Sequence, residues 1–134
     1  EQVASELDCD TYDCIVPVPL HRVRRRARGF NQAELLAQEI VPLFVNALID
    51  TSLVRLRPTH VQSRLHSEKQ RRDSVHGAFA LGANANFAGK RVLLIDDVVT
   101  TGATIHECAT VLKKGGAAVV DVLAVALAIP GPDA

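Results

Sequence analysis

The sequence has no tryptophan and no methionine, one tyrosine and four phenylalanines. Aromatic platforms for stacking unpaired bases are therefore scarce. Three cysteines, Cys9, Cys14 and Cys108, are too few for a disulfide framework, and their spacing matches no four-ligand zinc pattern. They read as reduced thiols serving as small apolar residues. No apolar run approaches the ~18 residues of a membrane span, and the start shows no signal-peptide pattern, so a cytoplasmic location with no membrane contact is expected. Two phosphate-binding motifs are absent as well. There is no G-x-G-x-x-G, and Gly89-Lys90 lacks the earlier glycine and the following Ser or Thr of a P-loop. The histidines show no ligand spacing. Neither repeats nor linkers divide the 134 residues, so one domain over 1–134 is expected, and the start on Glu1 rather than Met suits a fragment or a processed chain.

Net charge is zero, with 15 Lys and Arg against 15 Asp and Glu, but the charges are segregated. The stretch HRVRRRARG at 21–29 carries Arg22, Arg24, Arg25, Arg26 and Arg28 and no acid, and a second basic cluster follows at Arg64, Lys69, Arg71 and Arg72. A positive face of this kind favours an anionic ligand. The arginine run itself has three readings: a counter-charge for phosphates, a nucleic-acid contact, or a solvated surface.

Hydrophobic patterning alternates strands with helices. Residues 12–19, YDCIVPVP, begin as a strand whose pairing Pro17 and Pro19 should end. Asn31 and Glu34 give a helix start, with Ala33, Leu36, Ala37 and Ile40 behind it, and Pro42 should break that helix, leaving a further turn or two over 43–48. Short strands are predicted at 53–56 and 79–81, and a turn at 84–89. The clearest strand is 91–95. A helix follows Thr104, with Thr104 and Glu107 as a capping box and Lys113 to Gly116 as its stop, and 117–129 returns as strand. The expected fold class is α/β, a mostly parallel sheet flanked by helices, with ligands bound beyond the carboxyl ends of the strands.

One stretch concentrates the chemistry. In VLLIDDVVTTGAT, residues 92–104, a buried strand leads into two adjacent carboxylates and then a small-residue turn that opens a helix. Unpaired amides at a helix start favour an anion, the hydroxyls of Thr100, Thr101 and Thr104 add donors, and Gly102 lets the backbone approach closely. A phosphate monoester fits such a cup. Asp96 and Asp97 can accept from vicinal ribose hydroxyls or hold the water around Mg²⁺. Together they describe a 5-phosphoribosyl group. The competing reading is that these residues merely cap a helix.

VLLIDDVVTTGAT resembles the loop that binds 5-phosphoribosyl 1-diphosphate (PRPP) in type I phosphoribosyltransferases. VPVPLHRVRRRARGFNQAELLA, LVRLRPTHVQ and VHGAFAL resemble, in order, segments of the ComF family, phosphoribosyltransferase-like proteins linked to competence and DNA uptake. The likeness covers roughly 12–129, the family's transferase core, without its usual N-terminal four-cysteine zinc module; Ser74 replaces the Asn usual before Val75. It implies a type I phosphoribosyltransferase-like (Rossmann-like) fold and Mg²⁺-dependent transfer of phosphoribosyl to an unidentified acceptor. Asp96 and Asp97 would be catalytic, Thr100, Thr101, Gly102, Ala103 and Thr104 would bind the 5-phosphate, and Leu20, His21 and Arg22 would bind pyrophosphate. Arg64, Lys69, Arg71 and Arg72 would lie on a flexible closing loop. Mg²⁺ would be held by PRPP and water, with no direct protein ligand required. The resemblance leaves room for single-stranded DNA, DNA-uptake proteins and a homodimer partner. The rival reading is a non-catalytic module that senses PRPP or binds DNA and protein partners.

Overall fold

The computed structural model describes residues 9–20, 31–57, 76–99 and 102–127. Among them, strands β1 (Cys14–Pro17), β2 (Leu48–Ile49), β5 (Arg91–Val99) and β6 (Val119–Leu127) form one parallel sheet in the order β2-β1-β5-β6. Strands β3 (Leu53–Arg55) and β4 (Phe79–Leu81) form a separate antiparallel pair. Helix α1 (Gln32–Ile40) packs on one face of the parallel sheet and α2 (Ala103–Lys114) on the other.

The central strands are apolar without alternation because both faces are covered. Val92, Leu93, Leu94 and Ile95 are all essentially inaccessible to solvent. Side chains still alternate between faces. Val92 and Leu94 join Phe87, Cys108 and Leu112 under α2, while Leu93 and Ile95 join Ala33, Ala37 and Phe44 under α1. Each such burial is worth about 1.5–3 kcal/mol over exposure, so these strands anchor the sheet.

Helix α1 starts where predicted. Asn31 is its N-cap, and its Oδ1 accepts from the Ala33 amide at 3.0 Å. Pro42 ends the regular helix in a 3-10 turn, Val41–Leu43. The continuation expected over 43–48 is not helical: Leu48 and Ile49 pair beside Cys14 and Ile15 as the edge strand. Pairing outweighs the local pattern at these two residues.

Three other expectations change. Pro17 lies inside β1, in register with Ile95. Its nitrogen shares the side of the Ile15 carbonyl, which accepts from Asp50 just as β2 ends, so no ladder bond is lost. The strand of 91–95 runs on to Val99, because β6 continues alongside it and pairs Asp96 with Ala124 and Val99 with Leu127. The Thr104–Glu107 capping box does not form. Gly102 is the N-cap of α2, in the left-handed region at φ 81°, with no side-chain cap bond.

Candidate phosphoribosyl site

Two strand-to-helix junctions open on the same edge of the sheet, since Pro17 pairs with Ile95 and Asp96 is the next residue of β5. At the first junction the Val18 amide donates to the Ile95 carbonyl at 2.8 Å. The Val18 carbonyl accepts from Asn31 Nδ2 at 3.1 Å, so the buried Asn31 side chain ties the end of β1 to the start of α1. Beyond it lies an open cavity of about 470 Å³, lined in part by Pro17, Pro19, Leu20, Glu34, Thr51 and Arg55. That volume is in the range of small-molecule sites.

At the second junction Asp96 is half-buried, and of Asp97 the structure describes the backbone, within β5. Gly102, Ala103 and Thr104 form the first turn of α2 and are half-buried. Among the described residues, a Cβ placed on Gly102 would meet nothing within 4 Å. The helix start thus combines backbone amides and a positive dipole end, which together suit an anion.

Arg55 is the residue that sequence reading passed over. Its guanidinium sits 4.7 Å from the centre of the Phe79 ring, on the partner strand, and it lines the cavity. Such stacking holds a cation in place. The signal was present in LVR: in a strand, Arg55 falls in phase with the buried Leu53 and not with the exposed Val54.

Cys108 records which charges gather here. Burial pushes its thiol up to about 12; Arg55 opposes that rise, and Asp96 and Glu107 add to it. Arg55 and Asp96 thus both act on one thiol at the inner face of α2, with opposite signs. Glu107, released from capping, accepts from the Gly77 amide at 3.2 Å and stands 3.6 Å from His76 Nδ1.

Of the predicted site residues, the structure brings Leu20, Asp96, Gly102, Ala103 and Thr104 to the described edge. His21, Arg22, Thr100, Thr101, Arg64, Lys69, Arg71 and Arg72 lie outside the described residues, as does the rest of the arginine run. Among the described residues no three His, Cys, Asp or Glu side chains stand together as a metal cage. None of the described helices is long and apolar enough to cross a membrane.

Comparison with known proteins agrees with this architecture. The phosphoribosyl transferase domain profile matches residues 2–130. Competence protein F of Haemophilus influenzae is 39% identical over 105 residues, 78% of this chain and 45% of its own length. The DNA utilization protein YhgH of Salmonella typhi is 39% identical over 82% of this chain and 47% of its own. Competence protein ComFC of Bacillus subtilis is 35% identical over 81% of this chain and 42% of its own. The chain thus spans rather less than half the length of these relatives. Among solved structures, the glutamine PRPP amidotransferase from B. subtilis, complexed with ADP and GMP, superimposes with a TM-score of 0.54 at 16% identity, over 92% of this chain and 24% of that one. The allosteric regulatory enzyme of purine biosynthesis does so with a TM-score of 0.55 at 19% identity, over 92% and 23%. These two share the fold. The chain belongs to the phosphoribosyl transferase domain family, as a ComF-type core.

Proposed function

We propose that this chain forms one domain that binds PRPP with Mg²⁺ and transfers its phosphoribosyl group to an acceptor, in the service of DNA uptake. The observation that carries the reading is the second junction: the left-handed Gly102 opens α2 without a side-chain cap, a few residues past Asp96 and Asp97 on the central strand. Amides and hydroxyls of 100–104 would cradle the 5-phosphate, and the two carboxylates would accept from the ribose diol. Leu20, His21 and Arg22 would face the pyrophosphate, and Arg64, Lys69, Arg71 and Arg72 would close over it. Carboxylate oxygens suit the water shell of Mg²⁺, whose bound charge would neutralise the leaving pyrophosphate.

In the reaction the C1–oxygen bond to pyrophosphate breaks and its electron pair leaves with pyrophosphate. An acceptor lone pair then forms the new bond at C1 from the opposite face. The chain contributes orientation and fixed charge: Asp96 and Asp97 hold the diol and stabilise positive charge growing on the ribose. The cavity bounded by Leu20, Glu34 and Arg55 offers room for an acceptor. The relatives named for competence and DNA utilization favour a second reading, a non-catalytic PRPP sensor or a DNA- and protein-binding accessory in the cytoplasm.

Isothermal titration of PRPP with Mg²⁺ tests the site. Binding by the parent chain, lost in Asp97→Asn and in Thr101→Ala, is the expected result. A folded chain that ignores PRPP would overturn the proposal, and salt-sensitive DNA binding unaffected by PRPP would support the accessory reading.

A further inference from the structure

Glu107 is the candidate. Sequence pattern assigns it to capping α2, but its carboxylate turns outward to the β3–β4 unit, with Oε2 on the Gly77 amide at 3.2 Å and Oε1 3.6 Å from His76 Nδ1. The Glu107 side chain is only 14% exposed, against 80% for His76, so the helix residue is the fixed half of this contact. The strand pair it grips is tied together by its own hydrogen bonds. Leu56 donates to the Ala78 carbonyl at 2.7 Å, and Arg57 Nη2 donates to the His76 carbonyl at 2.8 Å. One pair further along, Arg55 lies opposite Phe79 and stacks on its ring. At the far end of α2, Gly115 meets the same unit so closely that a Cβ there would clash with Leu81. The strand pair also packs on α2 through the core, with Leu53 and Phe79 in one cluster with Cys108 and Leu112, and the Glu107 contact adds a polar, directional tie to that packing.

We propose that Glu107 is a positioning residue: by holding Gly77, it fixes the β3–β4 pair against α2 and so sets where Arg55 stands relative to Asp96 and to the 5-phosphate turn of the same helix. This rests on the function proposed above. One helix then carries both the Gly102–Thr104 turn and the clamp that places Arg55, so that ligand binding at one is coupled to the position of the other.

The test compares the parent chain with Glu107→Ala, Glu107→Gln and His76→Ala, each read by PRPP titration with Mg²⁺ and by amide hydrogen exchange. Glutamine keeps an acceptor for the Gly77 amide; alanine does not. Glu107→Ala should lose about three- to tenfold in PRPP affinity, the net scale of one ordinary hydrogen bond. Amides of Gly77–Leu81 should exchange faster while β1 and β5 stay protected. Glu107→Gln should restore both to within about twofold, and His76→Ala, at an exposed partner, should change little. Unchanged affinity and protection in Glu107→Ala would overturn the clamp, as would a loss of protection spread through β1 and β5, which marks a purely structural residue. If the parent chain ignores PRPP, the function falls, and the clamp stands or falls on whether alanine alone frees Gly77–Leu81.

Discussion

The two junctions on the functional edge are built from the same parts, a buried parallel strand followed by a helix, but they end differently. At β1, Asn31 caps α1 with its own side chain and spends its other amide group on the Val18 carbonyl. Every polar atom of that side chain serves the fold. At β5, the cap of α2 is a left-handed glycine with no side chain, and a Cβ there would meet no described residue within 4 Å. A side-chain cap fastens the structure; a glycine cap leaves the backbone approachable, which suits a ligand. The first junction is thus an anchored wall, and under the proposed function the second would be the receptive face.

The largest expected effect breaks the anchored wall. Asn31→Ala removes the cap and strands the buried Val18 carbonyl, which should cost about 2–3 kcal/mol in urea unfolding. A loss under half a kilocalorie would mean that this junction is not anchored by Asn31. Next, Gly102→Ala forces a Cβ into a backbone at φ 81°, which should cost about 1–2 kcal/mol and should also abolish PRPP binding. Alanine that binds PRPP as the parent does would erase the contrast between the junctions.

The third effect reads the core beneath the receptive face. Cys108 is held protonated by burial up to about 12, against the ordinary thiol value of 9.0. Below 9.0 both folded and unfolded chains keep the proton, so stability is fully present; above it the unfolded chain sheds a proton that the fold retains. Stability should therefore fall with rising pH between these values, by up to about 1.4 kcal/mol per pH unit, and Cys108→Ala should flatten that slope. An equal slope in the variant would show that the thiol does not titrate as its burial requires. The smallest effect concerns Thr104. With no capping box to lose, Thr104→Ala should change stability by less than about 0.5 kcal/mol, in contrast to Asn31→Ala. A cost near that of Asn31→Ala would restore the cap that the structure denies.

The difference between these two threonine and asparagine readings also shows what local pattern can carry. N-x-x-E and T-x-x-E looked alike as helix starts, and one capped while the other did not. Asn31 sits where the chain turns directly into its helix. Thr104 is preceded by Gly102, whose left-handed backbone has already begun the helix, so the threonine is inside it. Edge strand β2 was misread for a similar reason: two residues have no periodicity, and only their neighbours Cys14 and Ile15 make them a strand.

By itself the sequence determined the α/β class, the central strand at 91–95 and both described helices, because each is written in contiguous residues whose spacing repeats the geometry of the element. Tertiary structure alone decided that β3 and β4 stand apart as an antiparallel pair, that Arg55 stacks on Phe79 at the cavity wall, and that Glu107 serves the strand pair and not its own helix. Those contacts join residues far apart in the chain. Which partner a side chain takes depends on what folding brings within a few ångströms of it, and no local spacing encodes that distance.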